Sequence, residues 1–305
     1  MDRNELIMEQ ARLFNRISAF IETNKGKISR EKILNIKKGQ RINGFIDSIF
    51  KEYGVNDGKI VINLFSDFLQ AAVNVTSSSA KAFSAIYSES SSDIGLGAAL
   101  AASRPVTESA IKIHYLTSAP LKESVRYLFA EDIEHHRRFC ESKSDSDKKS
   151  YIYKYSLYTE VASQILDKLN LPSNPQLDAL EKKERKLLND TLSYRNAIQM
   201  AQESKKHIDG NFRKLTLDKF NHESLIYHYR FANGYVHVNP SFINMESKNR
   251  HFWLTMMAMP TMLINCLLMT KFLPVDKSEK TQGILLSYVQ DFKNMQPDIL
   301  KNRRI

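Results

Sequence analysis

Apolar residues recur at helical spacing along most of this chain. In the first segment, Leu6, Leu13, Ile17 and Phe20 are three, four or seven positions apart, which places them on one face of a helix. Alternation of apolar and polar residues, the mark of a strand, never extends beyond a few positions. The pattern therefore predicts an all-α fold, a helical bundle. The other predicted helical segments are residues 30–51, 59–75, 104–118, 121–141, 151–169, 175–206, 216–237, 252–273 and 280–295.

Interruptions of this pattern divide the chain. The segment EYGVNDG contains two glycines and separates a predicted N-terminal helical extension, residues 1–57, from a main helical domain, residues 58–305. A serine-rich stretch at 88–92 is predicted to be a loop, with Asp93 capping the helix that follows it.

One apolar run is long enough to raise the question of a membrane. Residues 252–273 approach the length of a transmembrane helix, but Pro260, Asn265 and Lys271 interrupt them. A helix that is apolar on every side is also what the centre of a bundle requires. The run is therefore predicted to be a buried core helix, with no stable membrane insertion, and a membrane-associated effector is kept as an alternative.

Composition and charge narrow the possible partners. The 305 residues include only 10 glycines and 8 prolines, which suits long helices better than a sandwich or barrel. A net charge of +10 favours polyanions such as nucleic acid or an anionic membrane surface. Cys140 and Cys266 match no metal or redox spacing, and the N-terminus lacks the apolar run of a secretion signal. We expect a cytoplasmic protein without a metal or other cofactor.

The segment YHYRFANGYVHVNP carries the candidate chemistry. Arg230 and His237 are seven positions apart, so a helix places them on one face about 10.5 Å apart along its axis. Asn233 lies between them on the same stripe, and Gly234 lets another group approach the helix. Pro240 ends the segment and leaves His237 in the last turn, where the helix dipole favours an imidazolium.

Such a stripe suits the cleavage of RNA without a metal. A ribose 2′-OH attacks the neighbouring phosphate after a base removes its proton, and the leaving 5′-oxygen needs a proton. Histidine exchanges protons near neutral pH, and arginine binds phosphate through two parallel hydrogen bonds and stabilises its developing charge. On composition alone, an arginine and a histidine at this spacing more often have a structural or surface role.

Two motifs resemble those of the HEPN superfamily, all-α domains that often act as metal-independent ribonucleases. YRFANGYVH resembles the R-x(4–6)-H motif, and RPVTE, from Arg104 to Glu108, resembles an R-P-x-x-E helix of a prokaryotic branch of unknown function. The resemblance covers residues 59–273, and the N-terminal 55 or so residues lie outside it. The chain departs from the pattern at Asn233 and Gly234, where a small hydroxyl residue is expected.

The resemblance implies a fold, a site and partners. HEPN ribonucleases typically form homodimers in which two Arg–His helices face one cleft, and they cut cellular RNA in toxin–antitoxin or anti-phage systems. An antitoxin or sensor partner is therefore also expected. In this hypothesis His237 is the general acid or base, Arg230 binds the phosphate, and Asn233 and Glu108 orient them. The supporting residues are Arg104, Tyr229 and Tyr235.

The motifs leave three questions open. Arg104 and Glu108 are four positions apart, so a simple ion pair within one helix explains them as well as a catalytic role does. Pro105 either kinks that helix or marks its first turn. For the whole protein, the alternatives to a nuclease are a non-catalytic RNA- or nucleotide-binding or dimerising module and a membrane-associated effector.

The remaining histidines are weaker candidates. His228 is two positions before Arg230 and faces elsewhere, and His114 on an apolar helix is predicted to be a core residue. Neither His207 nor His222 has a partner at metal-ligand spacing.

Overall fold

The structure, a computed structural model, describes residues 2–28, 33, 44–89, 93–129, 196–236, 252, 254–273 and 275–301. The described part of the chain is mostly helical and contains no strand, so the predicted all-α class is confirmed. The helices are α1 (Arg3–Lys25), α2 (Phe45–Glu89), α3 (Asp93–Ser118), α4 (121–129), α5 (Ala197–Glu203), α6 (Lys205–Lys214), α7 (His222–Val236), α8 (Met259–Thr270) and α9 (Val275–Lys301), with a π-helical turn at Leu254–Ala258.

Helix α1 has the N-cap and the apolar face that its sequence calls for. Asp2 accepts a hydrogen bond from the backbone N–H of Glu5 at 2.8 Å and so satisfies one of the unpaired donors of the first turn. Phe14 and Ile17 are completely buried, and α1 packs against α2, α8 and α9. Phe14 meets Phe83 of α2 edge-to-face, with ring centroids 5.5 Å apart.

The predicted boundary near residue 57 falls inside α2. This helix bends at Gly54, where φ is 75° and ψ is −178°, a conformation that only glycine adopts without strain. Helical structure continues on both sides of the bend, and side chains from residues 1–57 and from the rest of the chain share one hydrophobic core. The division into an extension and a main domain stays a prediction.

Helix α3 contains the RPVTE motif in its middle. Pro105 lies inside the helix, so the expectation that it marks the first turn is wrong. The helix begins at Asp93, where a cap was predicted. It packs against α2, α5, α7 and α8 and so joins both halves of the bundle.

Between residues 196 and 236 the predicted helices needed correction. Asn196 and Gln199 form a reciprocal capping box, so a new helix starts at Ala197 and the predicted helix 175–206 does not run through Asn196; its residues 175–195 lie outside the described residues. Helix α6 lies mostly in residues 207–214, which had no helical prediction. The helix predicted for 216–237 begins only at His222, because Thr216 has φ 53° and the chain turns there.

Helix α8 is the centre of the bundle. All twelve of its residues are buried, so the core-helix prediction is confirmed for this part of the apolar run. Pro260 fits because it stands in the first turn, where its missing N–H has no helical acceptor. Among the described residues, the stretch Phe45–Ala85 is long and apolar enough to cross a membrane, and half of its apolar window is buried in the protein.

Candidate functional site

Helices α3 and α7, which carry the two motifs, pack side by side and are joined through a buried histidine. His228 of α7 is 1% exposed. Ser103 lies 2.8 Å from its Nε2, while Thr107 and Thr261 lie 3.1 and 3.2 Å from its Nδ1. These three hydroxyls come from α3 and α8, so the histidine fixes the rotation of α7 against both helices.

The hydrogen bonds determine the tautomer of His228. The hydroxyls of Thr107 and Thr261 each donate to a backbone carbonyl, at 3.0 and 2.8 Å, so their oxygens accept the proton on Nδ1. Nε2 then accepts from the Ser103 hydroxyl. Burial lowers the pKa of His228 to about 3, so the ring is neutral at physiological pH.

This arrangement is a structural clamp, although a serine and a histidine in contact suggest a nucleophile and its base. Ser103 is completely buried, so no substrate can reach its oxygen. A catalytic histidine also needs a group that stabilises its charged form, and Nδ1 here meets only hydroxyls. The sequence-based expectation that His228 faces away from Arg230 is confirmed.

Arg230 lies on the opposite side of α7 and is exposed to solvent. Two residues separate it from His228, a rotation of about 200° around the helix. Among the described residues, no carboxylate forms an ion pair with its guanidinium. The side chain is therefore free to bind an anion from solution.

Arg104 and Tyr229, two of the predicted supporting residues, contact each other across the α3–α7 interface. The guanidinium carbon of Arg104 lies 5.7 Å from the centre of the Tyr229 ring, a cation–π distance. Both side chains are half-buried. The RPVTE motif thus lies beside the helix of Arg230.

Glu108 is engaged within its own helix. Its carboxylate lies 2.9 Å from the ammonium of Lys112 and 3.8 Å from the guanidinium of Arg104. The predicted ion pair between Arg104 and Glu108 is therefore present, but Lys112 is closer to the carboxylate than Arg104 is. In the part of the chain that the structure describes, Glu108 makes no pair with Arg230.

The remaining members of the stripe are only partly described. Asn233 is half-buried, and its side-chain oxygen is buried without a hydrogen-bond donor among the described residues. Gly234 is buried. His237 and the side chain of Tyr235 lie outside the described residues.

A second group of polar residues, unrecognised as a group from the sequence, surrounds His114 on α3. His114 is completely buried, as predicted, and donates from Nδ1 to the carbonyl of Ala110 at 2.6 Å. Its ring meets that of His207 edge-on at 5.3 Å. Burial lowers the pKa of His114 to about 3 and also lowers that of His207. Lys271 donates to Asn211 at 3.0 Å beside this pair.

His222 and Asp209 connect α6 to the start of α7. The Asp209 carboxylate accepts from the backbone N–H of His222 at 2.8 Å and lies 3.1 Å from its Nδ1. The carboxylate thereby caps the first turn of α7, where the helix dipole favours a negative charge. Thirteen positions and a turn separate the two residues, so no helical spacing indicated the pair.

A groove of about 260 Å³ between α1 and α9 contains two further arginines, but their charges are paired. Arg12 pairs with Glu9 and Arg16 pairs with Asp291. Arg16 also covers the ring of Tyr288, with its guanidinium carbon 4.5 Å from the ring centre. Within the described ranges, no cluster of three or more histidine, cysteine, aspartate or glutamate side chains is placed to hold a metal ion.

Comparison of the chain with protein-family models, with curated proteins and with solved structures found no match.

Proposed function

We propose that this protein is a HEPN-like, metal-independent endoribonuclease that cleaves RNA by attack of a ribose 2′-OH on the adjacent phosphate. The observation that supports it most directly is the exposed Arg230, which has no ion-pair partner among the described residues, on a helix whose opposite face is clamped by His228. Its guanidinium presents its donors to solvent, and no carboxylate in the described part of the chain competes for them. Phosphate is the ligand that such a fork binds best.

In the proposed reaction, Arg230 binds the two non-bridging oxygens of the scissile phosphate and stabilises the charge that builds there. His237 accepts the 2′-OH proton or donates one to the leaving 5′-oxygen. The products are a 2′,3′-cyclic phosphate and a 5′-hydroxyl, and no metal or other cofactor takes part.

Asn233 is assigned the orienting role in this proposal. It is four residues before His237 on the same helical stripe, and its buried oxygen lacks a donor in the described part of the chain. Accepting from an imidazole N–H would satisfy that oxygen and fix the tautomer of His237. Three residues act indirectly, by holding α3 against α7: Glu108, Arg104 and Tyr229.

The biological setting follows from the HEPN resemblance. A homodimer would bring two Arg–His stripes to one cleft and double the positive charge around the RNA. A nuclease of this kind in a toxin–antitoxin or anti-phage system acts in the cytoplasm and needs a partner or sensor that restrains it.

The test is RNA cleavage in EDTA by wild type and by single variants. His237→Ala should reduce the rate by about 10²–10⁴-fold through loss of proton transfer. Arg230→Ala should reduce it by about 10²–10³-fold, and Arg230→Lys should recover part of the loss because it restores the charge. Arg12→Ala is the control, since Arg12 is exposed but paired with Glu9. Equal cleavage by wild type and His237→Ala would refute the proposal.

A second candidate is a non-catalytic RNA-binding or dimerising module. The pairing of Glu108 with Lys112 favours it, because this carboxylate is not held ready to orient a catalytic histidine. In that case RNA binds and no products form. His237→Ala would then lower the melting temperature without changing any reaction.

A further inference from the structure

The outer face of α6 carries several exposed cations. Lys206, Arg213 and Lys214 are exposed, and among the described residues none of them has an ion-pair partner. Asp209 is the one acidic residue in this helix, and its carboxylate is engaged with His222 of α7. The exposed side of α6 is therefore positively charged throughout.

The helix itself gives no reason for all of these charges. Cations in the last turn complement the helix dipole, which accounts for Arg213 and Lys214. Lys205 and Lys206 stand in the first turn, where the positive end of the dipole disfavours them. An external anion would offset that repulsion.

Lys271 extends the charged face along one edge of α6. It is half-buried, and its ammonium is held by the side-chain oxygen of Asn211 at 3.0 Å. Burial and the nearby charge of Lys214 lower the pKa of Lys271 to about 8. A phosphate beside these two lysines would relieve their repulsion and raise that pKa again.

Gly210 leaves the middle of this face bare. Lys206, Gly210 and Arg213 follow one another at positions i, i+4 and i+7, so they form one stripe. A Cβ built on Gly210 has no atom within 4 Å, so packing inside the protein does not require the glycine. The gap lets a polynucleotide backbone lie against the helix between the two cations.

We propose that this face of α6, which we call the α6 basic face (Lys206, Gly210, Arg213 and Lys214, with Lys271 at its edge), binds the sugar–phosphate backbone of RNA. The proposal rests on the proposed function for its choice of RNA. The face offers lysine and arginine but no exposed aromatic ring, because Phe212 is buried. It therefore contacts phosphates and does not stack on bases, so binding is independent of sequence.

The position of the face suits an RNA that also reaches Arg230. The contacts between Asp209 and His222 join α6 to the first turn of α7. Arg230 is eight residues further along α7, about 12 Å along the helix axis. A strand held by the α6 basic face has this distance along α7 to span to place its scissile phosphate at Arg230.

The test is the salt dependence of binding to a fluorescent single-stranded RNA whose 2′-hydroxyls are methylated, so that it cannot be cleaved. Each cation that neutralises a phosphate contributes about 0.7 to the slope of log K against log salt. The triple variant Lys206→Gln/Arg213→Gln/Lys214→Gln should lower the magnitude of the slope by about 2 and weaken binding at low salt by at least about tenfold.

The control is Arg12→Gln/Lys25→Gln/Lys81→Gln, which changes the net charge by the same amount. Its cations are paired, Arg12 with Glu9 and the two lysines with Glu22 at 2.7 and 3.0 Å. We expect its slope to equal that of wild type. An equal loss in both triple variants would show an effect of net charge alone and overturn the proposal, as would an unchanged slope in the α6 variant.

Gly210→Leu tests the close approach without removing a charge. Leucine favours a helix more than glycine does, so the fold should hold. RNA binding should weaken severalfold, whereas Gly283→Leu on α9, where a built Cβ also meets no atom within 4 Å, should bind as wild type does. Equal binding by wild type and Gly210→Leu would show that the RNA backbone does not lie against the helix at Gly210.

Two further arms identify the polyanion and separate the two proposals. Single-stranded DNA of the same sequence should bind similarly, whereas binding to anionic vesicles without binding to RNA would overturn the proposal. Catalysis is measured independently with cleavable RNA. Binding that depends on the α6 basic face, without cleavage, refutes the nuclease and supports this surface. Cleavage with unchanged binding in the α6 variant refutes the surface alone.

Discussion

At the scale of single residues, the helix of the candidate site has two opposite faces. His228 is sealed between α3 and α8 as a neutral ring with hydroxyl partners on both nitrogens. Arg230, two residues further on, is in solvent. The first residue holds the helix in place and the second is available to a ligand, so rigidity of the site and reactivity reside in different side chains.

The protonation of His228 makes a prediction about stability. Its pKa is about 3 in the folded protein and about 6.5 when unfolded, so between these values only the unfolded state binds the proton. Its contribution to stability is therefore complete above pH 6.5 and is lost as the pH falls toward 3, by about 1.4 kcal/mol per pH unit.

Urea unfolding of wild type and His228→Gln between pH 7 and about 4 measures this contribution as a difference. The free energy of unfolding of wild type should fall more steeply with acid than that of the variant, by the equivalent of one proton. Other groups titrate in both proteins and cancel. Parallel curves would show that His228 is not kept neutral by the fold.

Sequence patterns identified the exposed Arg230 better than the contacts of the buried His228. Helical spacing alone was enough to separate the face of Arg230 from that of His228. The clamp around His228 could not be predicted, because its hydroxyls come from Ser103, Thr107 and Thr261, which are 125, 121 and 33 positions away. Contacts between distant segments have no periodic signal.

At the scale of elements, three glycines differ in whether the backbone conformation requires a glycine. Gly54 bends α2 with a positive φ of 75°, while Gly210 and Gly283 lie in regular helix. A Cβ built at any of the three meets nothing within 4 Å. The differences between alanine substitutions at these positions therefore come from the backbone and not from crowding.

Substitution of glycine by alanine should therefore change the free energy of unfolding in opposite directions at these positions. Gly54→Ala should lower the free energy of unfolding by about 1 kcal/mol or more, because alanine is strained at positive φ. Gly210→Ala and Gly283→Ala should each raise it by about 0.5–1 kcal/mol. Thermal unfolding followed by circular dichroism distinguishes the three. If Gly54→Ala stabilised the protein, it would contradict the positive φ at the Gly54 bend.

Element types were predicted more reliably than element boundaries. The glycines of EYGVNDG indicated a break, and the structure has it at Gly54, although as a bend within one helix. The start of α5 at Ala197 depends on the side chains of Asn196 and Gln199, a local capping signal that the apolar period does not contain. Most of α6 was missed because it has only two apolar residues, Ile208 and Phe212, and Gly210 stands between them.

At the scale of the whole molecule, the bundle is organised around α8. This helix is buried on all sides and contacts α1, α2, α3 and α9. The prediction from the apolar run at 252–273 succeeded because an uninterrupted apolar surface has to be covered. Among the described residues, the exposed cations without an ion-pair partner include those of α6 and Arg230, and these are the ones that we propose bind a polyanion.

The measurement that tests the central claim most directly is the identity of the cleavage products. A substrate made of deoxynucleotides with one ribose should be cut only after that ribose, leaving a 2′,3′-cyclic phosphate and a 5′-hydroxyl in the presence of EDTA. Mass spectrometry of the fragments identifies both ends. Cleavage of the all-deoxy strand, or fragments ending in 5′-phosphate, would contradict attack by the 2′-OH and with it the roles given to Arg230 and His237.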